Sequence, residues 1–340
     1  MPATEREIAA MRHAITLARR GLGSTSPNPI VGCVILDDAH RVVGEGFHQH
    51  AGGPHAEAVA LAAADARARG GTAVATLEPC RHTGRTGPCT QALIDAGVTR
   101  VVYAVPDPSP RARGGADELR DAGIEVLGGV LADEAARSNE AWLHFASTGR
   151  PFVTWKFAAT LDGRTAAADG TSRWITGDEA RDDVHRLRAE HDAVMVGTGT
   201  ALVDDPSLTV RLGVSTSRQS LRVVVGRRDL PSSAKVYDDA APTLTIKEHD
   251  PDLVLKELAD RDVVSVLLEG GATLAGAFMR AGRIDKVVAY LAPAFLGAGK
   301  SALADAGIGT VAEILRWHVD DVEAIGGDLR VTARPMSAGE

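Results

Sequence analysis

Apolar residues in the first half of the chain follow helical spacing in some segments and strand spacing in others. Thr4 and Glu7 have the spacing of a capping box, and the apolar positions after them predict a helix that ends near Arg20. Residues 30–36 form a β-branched run of strand length, and the turn after it predicts a β-hairpin with a returning strand over residues 41–45. Helices then separate the strands repeatedly, which indicates an α/β domain. The further predicted elements are a helix from Pro54 to about residue 70, a strand over 72–77, a helix over 90–96, a strand over 101–105, a helix over 116–122 and a strand over 124–127.

A second alternation of strands and helices begins at Phe152, directly after the segment Thr148-Gly149-Arg150-Pro151. A length of 340 residues exceeds what one hydrophobic core usually supports. We therefore predict two domains, over residues 1–147 and 148–340, and the second is again α/β. After the strand at 152–156, its predicted strands are 193–196, 221–225, 243–246, 263–268, 286–291 and 329–333, with helices over 178–190, 251–261 and 273–281.

Composition and charge exclude several classes of protein. Apolar residues make up 44% of the chain and charged residues 24%, which is typical of a globular protein and not of a disordered one. The formal net charge of -8 is poorly suited to neutralising phosphates, so no nucleic-acid partner is expected. No uncharged apolar run approaches the roughly twenty residues of a membrane helix, and the first residues do not resemble a secretory leader. We therefore expect a cytoplasmic protein without a membrane partner.

Two of the three cysteines lie where they could share a metal ion with a histidine. So small and odd a number of cysteines argues against a disulfide framework. His55 opens a predicted helix, Cys80 follows a predicted strand and Cys89 opens the next helix. Zinc binds imidazole nitrogen and thiolate sulfur, and a catalytic zinc has three protein ligands. We therefore predict a catalytic zinc site at His55, Cys80 and Cys89, and we assign Cys33, in a predicted buried strand, to the core.

Glu57 adds a proton-transfer group to this predicted site. A His-x-Glu pattern followed by Pro-Cys is the signature of zinc deaminases, in which the glutamate moves a proton between the attacking water and the ring nitrogen. Residues 81–88 separate the two cysteines, and this loop carries His82 and Arg85, which indicates a polar or anionic substrate. Two alternatives remain open: a structural zinc, which a fourth protein ligand would close, and a group of residues that holds no metal.

The second half carries weaker signals for a nucleotide. Residues 197–202 contain only two glycines of a Rossmann phosphate loop, and residues 294–301 end like a Walker A loop but lack its first glycine. Gly270 and Gly271 follow a buried run and precede a predicted helix, so backbone N–H groups there could hold a cofactor phosphate. Oriented charge beside a nicotinamide could come from Lys156, Asp204 and Glu269.

Longer motifs in both halves resemble a single family. The first half contains SPNPIVGC at residues 26–33, GPHAE at 53–57 and EPCRHTGRTGPC at 78–89. The second half contains KFAATLDGR at residues 156–164, SRWIT at 172–176, DDPSLTVR at 204–211 and LEGGATLAG at 268–276. From about residue 8 to residue 334 the chain resembles the bifunctional deaminase/reductases of riboflavin biosynthesis.

The resemblance implies a fold, two reactions and a set of site residues. The fold is an N-terminal cytidine-deaminase-like three-layer α/β domain followed by a dihydrofolate-reductase-like domain. The reactions are zinc-dependent deamination of 2,5-diamino-6-(ribosylamino)-4(3H)-pyrimidinone 5′-phosphate and then NADPH-dependent reduction of its ribosyl group to ribityl. The implied deaminase substrate contacts are Asn28, His48, His82 and Arg85. The implied reductase substrate contacts are Ser172, Trp174, Arg188, Leu208, Arg211 and Glu269, and we add Lys156 to them as a source of oriented charge. The implied cofactor contacts are Ala158, Thr200, Asp204, Gly271, Ala272, Thr273, Leu274, Ala275, Gly276 and Ala277.

Two segments depart from the family pattern. Gly87 stands where the family often has a proline, and Gly226-Arg227-Arg228 stands where an acidic residue and a serine are frequent. A guanidinium at Arg227 could bind the 2′-phosphate of NADPH beyond the end of a strand. The alternative there is a solvated turn.

The expected partners are a small pyrimidine nucleotide and further copies of the chain, as a dimer or a tetramer. Two other functions stay open from the residues. One is a deaminase of nucleic acids or free nucleosides whose second half is an interaction module, and the other is a zinc-binding scaffold without enzymatic activity.

Overall fold

The computed structural model describes residues 1–81, 87–109, 113–212 and 218–336. The chain divides into two compact units, Met1–Gly149 (unit 1) and Arg150–Glu340 (unit 2). The helices and strands of unit 1 are α1 (Glu5–Arg19), β1 (Gly32–Leu36), β2 (Val42–Phe47), α2 (Ala56–Ala64), β3 (Thr72–Leu77), α3 (Cys89–Ala96), β4 (Arg100–Val105), α4 (Gly115–Asp121), β5 (Glu125–Leu127), α5 (Ala132–Ser138) and α6 (Glu140–Thr148).

Unit 1 is a three-layer α/β structure around one sheet. Its five strands lie in the order β2-β1-β3-β4-β5, in which β1 is antiparallel to both β2 and β3 and the remaining pairs are parallel. One apolar cluster joins α1 and α5 to one face of the sheet, and a second joins α2, α3 and α4 to the other face. The predicted capping box at Thr4 and the predicted hairpin are both confirmed.

Glycines bring α2 very close to the sheet. A Cβ atom on Gly44 would lie 2.2 Å from the carbonyl oxygen of Ala60, and one on Gly46 would lie 2.5 Å from that of Ala56. A larger residue at either of these two positions would therefore push the helix away. This close packing fixes the first turn of α2, where His55 and Glu57 lie.

Unit 2 is built around an eight-stranded sheet in the order β12-β13-β11-β6-β10-β7-β8-β9. All neighbouring pairs among the strands β6 to β11 are parallel. At one end of the sheet, β13 pairs antiparallel with β11 and β12 pairs antiparallel with β13. Its elements are β6 (Phe152–Thr160), α7 (Asp178–Glu190), β7 (Ala193–Gly197), α8 (Thr198–Asp204), β8 (Leu221–Val225), β9 (Thr243–Ile246), α9 (Pro251–Ala259), β10 (Ser265–Glu269), α10 (Ala272–Arg280), β11 (Lys286–Ala292), β12 (Trp317–Ile325) and β13 (Asp328–Pro335).

Helices cover both faces of the parallel part of this sheet. The largest apolar cluster contains α9 and α10 on one face, and smaller clusters place α7 and α8 on the other. Such a sheet places the carboxyl ends of its strands along one edge, which is where open α/β sheets bind ligands. In the described parts of the chain, no helix combines the length and apolar character needed to cross a membrane.

Candidate functional site

The three predicted metal ligands meet at the ends of three elements of unit 1. His55 is the N-cap residue of α2, Cys80 follows β3 and Cys89 is the first residue of α3. The Nδ1 atom of His55 lies 3.3 Å from Sγ of Cys89 and 3.5 Å from Sγ of Cys80, and all three ligand atoms lie within 4.8 Å of one another. The fold thus brings together the three side chains that the spacing had singled out.

This group has the chemistry and dimensions of a zinc site. Tetrahedral zinc with ordinary Zn–N and Zn–S distances separates a nitrogen from a sulfur ligand by about 3.6 Å, close to the distances observed. Hydrogen bonds from Cys89 and His55 outweigh burial and lower the pKa of Cys80 to about 4, which favours the thiolate that zinc requires. Among the described residues, no fourth histidine, cysteine or acidic side chain joins the group, so a coordination position is left for water or substrate.

Glu57 lies in the first turn of α2, on the pocket side of the three ligands. Its side chain is only 4% exposed and lines a pocket of about 420 Å³ that His55 and Cys80 also line. Burial, and then the negative charge of Cys80, raise the pKa of Glu57 above its usual range. A buried carboxylate with a raised pKa is suited to accept and return a proton.

Asn28 and His48 line the same pocket and are hydrogen bonded to each other. Nδ1 of His48 donates to the carbonyl oxygen of Pro54 at 2.9 Å, which leaves Nε2 to accept from Nδ2 of Asn28 at 3.1 Å. Burial lowers the pKa of His48, which favours this neutral form. The other two predicted substrate contacts, His82 and Arg85, lie outside the described residues.

Sequence reasoning missed an acidic pair beside the metal group. Glu78 is buried, and its carboxylate accepts hydrogen bonds from the backbone N–H groups of Asp107 (3.1 Å), Gly114 (3.1 Å) and Ala116 (2.9 Å). It thereby fixes the start of α4 and holds Asp107, whose side chain is buried at the pocket wall. The Glu-Pro-Cys sequence before Cys80 was the available signal, because it places Glu78 two residues from a metal ligand.

The predicted reductase residues centre on a buried ion pair in unit 2. Arg188 of α7 donates to both carboxylate oxygens of Glu269 at the end of β10, at 2.6 and 2.9 Å. Burial opposes ionisation, but the charge and hydrogen bonds of Arg188, with the charge of Lys156, lower the pKa of Glu269 to about 2. Burial in turn lowers the pKa of Lys156, which lies in β6. The site therefore holds compensated charges inside the protein.

A tight turn follows Glu269 and leads into α10. Gly270 and Gly271 have φ angles of +75° and +76°, a region that favours glycine, and a Cβ atom on Gly271 would lie 3.1 Å from Oγ1 of Thr200. The predicted cofactor residues Gly271, Thr200, Ala272 and Thr273 are thus close in space or in sequence. Further along α10, Ala275 packs in the core, and a Cβ atom on Gly276 would lie 2.6 Å from the carbonyl oxygen of Asp305.

The remaining predicted reductase residues have varied surroundings. Leu208 has its side chain in an apolar cluster with β7 and β8, and Ala158 packs near Tyr290. The carbonyl oxygen of Asp204 accepts a hydrogen bond from Arg173 at 2.7 Å, while Trp174 is 70% exposed beneath the guanidinium of Arg181. Secondary structure places Ala277 in α10 and Ser172 before α7. Leu274 of α10 packs against the largest apolar cluster, and the backbone N–H group of Arg211, after α8, donates to Nδ1 of His185 at 3.2 Å.

The arginine pair after β8 and the Walker-like segment have different surroundings. Arg227 is largely exposed, with Nη2 3.7 Å from a carboxylate oxygen of Glu248. In residues 294–301, the backbone N–H groups of Leu296 and Gly297 donate to the carboxylate of Asp162 at 3.2 and 2.6 Å. Those amides already hold a carboxylate of the protein itself, which explains why this segment need not bind a phosphate.

Comparisons with known proteins identify both units. The model of the cytidine and deoxycytidylate deaminase zinc-binding region matches residues 4–105, and the model of the RibD C-terminal domain matches residues 151–331. Riboflavin biosynthesis protein RibD of Mycobacterium tuberculosis is 52% identical over 323 residues, which cover 94% of this chain and 95% of that protein. RibD of Escherichia coli is 39% identical over 355 residues, which cover 94% and 96%.

Solved structures agree over nearly the whole chain. RibD of Acinetobacter baumannii has 41% identity and a TM-score of 0.91, over 98% of this chain and 99% of that one. A diaminohydroxyphosphoribosylaminopyrimidine deaminase/5-amino-6-(5-phosphoribosylamino)uracil reductase of Thermotoga maritima has 35% identity and a TM-score of 0.90, over 97% and 99%.

These matches confirm the predicted fold class, the two enzymatic activities and the two cofactors, zinc and NADPH. The alternatives of a zinc scaffold and of a deaminase with a non-enzymatic second half are therefore wrong. Because a zinc-binding deaminase region and a RibD reductase domain occur together over almost its full length, the chain belongs to the RibD family of bifunctional deaminase/reductases of riboflavin biosynthesis.

Proposed function

We propose that unit 1 deaminates 2,5-diamino-6-(ribosylamino)-4(3H)-pyrimidinone 5′-phosphate and that unit 2 then reduces the ribosyl group of the product. The observation that carries the proposal is the position of the buried Glu57 carboxylate, which shares one pocket with His55 and Cys80. A pocket of about 420 Å³ has the size of a small-molecule site.

In this proposal His55, Cys80 and Cys89 hold zinc, and Glu57 moves protons. Zinc, when bound, supplies Lewis acidity to the reaction. Glu57 accepts a proton from the attacking water and passes it to the ring nitrogen next to the amine-bearing carbon. Water adds to that carbon, the amine leaves with a second proton as ammonia, and a carbonyl oxygen remains. A carboxylate suits both transfers because burial raises its pKa above the usual range.

Asn28 and His48 orient the ring in the proposed deaminase site. His48 engages the amide nitrogen of Asn28, which leaves the amide oxygen of Asn28 to accept a hydrogen bond from a ring substituent. His82 and Arg85, in the loop between the cysteines, remain predicted contacts for the polar or anionic part of the substrate.

In unit 2 we assign phosphate binding to Arg211. The guanidinium of Arg188 already donates to Glu269 twice and to the carbonyl oxygen of Thr209 at 3.0 Å, so its donors have partners within the protein. Arg211 is exposed, and a guanidinium suits a phosphate. Lys156 and Glu269 then face the sugar and ring, while the turn at Gly270 and Gly271 approaches the cofactor phosphates. NADPH, when bound, supplies the hydride.

The purified protein tests both steps if it is given the diaminopyrimidinone nucleotide and NADPH while ammonia and NADPH absorbance are followed separately. Ammonia should appear first, and NADPH should be consumed only after it. NADPH consumption without ammonia release would contradict the proposed order. Ammonia release from cytidine at a comparable rate would contradict the proposed substrate.

We further propose a cytoplasmic homo-oligomer, a dimer or a tetramer. Thiolate ligands such as Cys80 and Cys89 require a reducing compartment, which supports the location. β12 lies at an edge of the eight-stranded sheet and exposes Val319 and Val322 at 52% and 56%, and the backbone N–H and C=O groups of an edge strand favour pairing with another chain. Light scattering after size-exclusion chromatography measures the mass, and a monomer at micromolar concentration would contradict the association.

A further inference from the structure

His185 is a polar residue of unit 2 that the proposed function leaves without a role. It lies on α7, three residues before Arg188, so the two side chains project from neighbouring positions on one side of the helix. It is partly buried and contacts the segment of residues 209–211, and the charges of Arg188 and Glu269 act on its ring.

The two residues of α7 hold this segment through its backbone. The N–H group of Arg211 donates to Nδ1 of His185 at 3.2 Å, and Nη1 of Arg188 donates to the carbonyl oxygen of Thr209 at 3.0 Å. The side-chain amide of Gln219 also makes two hydrogen bonds with the backbone of Val210, at 2.8 and 3.2 Å. The backbone that carries Arg211 is therefore held both by α7 and by Gln219.

The contact with Arg211 requires an unprotonated Nδ1 on His185, because a backbone N–H group can only donate. Burial, and then the nearby charges of Arg188 and Arg211, lower the pKa of His185, while Glu269 opposes this effect. The surroundings therefore favour the neutral ring that can accept this hydrogen bond.

We propose that His185 is a positioning residue of the reductase, which fixes the backbone of Arg211 so that its guanidinium meets the 5′-phosphate of the substrate. This inference rests on the proposed function, in which Arg211 binds that phosphate. His185 itself touches neither substrate nor cofactor. The purely structural alternative is that His185 attaches residues 209–211 to α7 with no consequence for substrate binding.

Three substitutions separate these roles. His185→Phe keeps a ring of similar size but has no acceptor, His185→Ala removes the ring, and His185→Asn places an amide oxygen near the position of Nδ1. The KM for the deaminated nucleotide, measured at saturating NADPH, should rise about three- to tenfold in the Phe and Ala variants, as expected for one hydrogen bond. The value of kcat should change by less than about twofold, and His185→Asn should restore KM to within about twofold of the parent.

A double-mutant cycle with Arg211→Ala tests whether His185 acts through Arg211. Arg211→Ala keeps the backbone N–H group but removes the guanidinium, so adding His185→Phe should cause no further rise in KM. Calorimetric titration with the same nucleotide, without NADPH, should give the same pattern in Kd. His318→Ala, at an exposed position on β12 of the same unit, is the matched control and should change neither constant.

The outcomes distinguish a failure of the inference about His185 from a failure of the proposal that Arg211 binds the phosphate. If Arg211→Ala leaves KM unchanged, the assignment of Arg211 to the phosphate is wrong. If Arg211→Ala raises KM but His185→Phe does not, the assignment of Arg211 stands and only the inference about His185 is wrong. Equal rises from His185→Phe in the parent and in the Arg211→Ala background would overturn the inference, because His185 would then affect substrate binding independently of the Arg211 guanidinium.

Discussion

The residues of the two candidate sites are distributed differently along the sequence. In unit 1, the predicted ligands and Glu57 fall between residues 55 and 89, at the ends of consecutive elements, and their residue types alone define a metal chemistry. In unit 2, Lys156, Arg188 and Glu269 come from β6, α7 and β10, and only the parallel sheet brings them together. Residue types and their spacing are therefore enough to predict the metal site, whereas predicting this reductase site also requires the order of the strands in the sheet.

The electrostatics of the two sites differ in the same way. Unit 1 gathers two thiols, an imidazole and a buried carboxylate around a position that suits a metal cation. Unit 2 balances its buried charges internally, through Arg188 and Glu269. Activity in unit 1 should thus depend on the metal, whereas the stability of unit 2 should depend on its ion pair and on pH.

Replacing a zinc ligand is expected to have the largest and most selective effect. Cys80→Ser or Cys89→Ser should abolish both zinc binding and ammonia release, because an alcohol is a far weaker ligand than a thiolate. Reduction of the already deaminated nucleotide should survive, because the proposed sites share no residue. Cys33→Ala, at a fully buried position in β1, is the matched control and should keep its zinc. Metal analysis and the two separate assays decide the matter, and unchanged zinc in both serine variants would show that the ligand set is wrong.

Glu57→Gln should keep zinc and lose deamination. The amide has the shape of the carboxylate but cannot accept a proton from water, and general acid–base groups contribute about 10²–10⁴-fold. We expect a loss at the upper end, since Glu57 serves two transfers. Glu45→Gln, in β2 of the same unit, is the control and should retain activity. Near-normal ammonia release by a zinc-loaded Glu57→Gln enzyme would remove Glu57 from the mechanism.

Breaking the ion pair of unit 2 should affect stability before chemistry. Arg188→Leu leaves the Glu269 carboxylate buried without its partner, which should lower the free energy of unfolding by about 3–5 kcal/mol. Arg280→Ala breaks an exposed pair with Asp305 in the same unit and should cost less than about 1 kcal/mol. Urea unfolding measures both, and equal costs would mean that burial does not set the strength of the pair.

The same ion pair should make the free energy of unfolding decrease at low pH. The pKa of Glu269 is about 2 in the folded protein, below the ordinary value of 4.5, so its contribution is complete above about pH 4.5 and is lost as pH falls toward 2. The loss should amount to about 3 kcal/mol of unfolding free energy. Glu269→Gln should flatten this part of the stability curve measured by urea unfolding, and an unchanged slope would show that Glu269 does not carry it.

Local patterns sufficed for most of the fold. The helix after Thr4, the hairpin and the strand over Thr72–Leu77 were predicted because capping residues and apolar periodicity agree there. The strand β12 was missed because its charged residues and a bulge between Val319 and Asp321 break the alternation, and pairing with β13 compensates for this. The helices α5, α6 and α8 were also missed, and no residue of α6 is fully buried.

The residues of the candidate sites also differ in how far the sequence predicts them. Spacing and residue type brought out His55, Glu57, Cys80 and Cys89, because a metal restricts its ligands chemically. The role of Glu78 could not be predicted, since its carboxylate binds backbone N–H groups of residues more than twenty-five positions away. His185 was missed for the same reason, because its partner is a backbone N–H group in a segment that only the tertiary fold brings to α7.

The last comparison concerns which of two adjacent arginines recognises NADPH. Gly226 has a φ of +131° and allows the chain to turn directly after β8, so Arg227 and Arg228 diverge. Arg227 remains 68% exposed with a distant carboxylate partner, whereas a Cβ atom on Gly199 would lie 2.9 Å from Nη2 of Arg228, which therefore lies against α8. The exposed guanidinium of Arg227 can still form charge-assisted hydrogen bonds with a 2′-phosphate, a group that NADH lacks.

Arg227→Ala should therefore weaken NADPH binding about ten- to a hundredfold, because such bonds contribute about 1.5–3 kcal/mol, and should leave NADH almost unchanged. Calorimetric titration of both cofactors measures the difference, with Arg228→Ala as the adjacent comparison. Equal losses for the two cofactors would mean that Arg227 supports the fold or the shared pyrophosphate. A selective loss in Arg228→Ala alone would move 2′-phosphate recognition to Arg228 at the start of α8. No loss in either variant would mean that neither arginine recognises the 2′-phosphate and that the segment is a solvated turn.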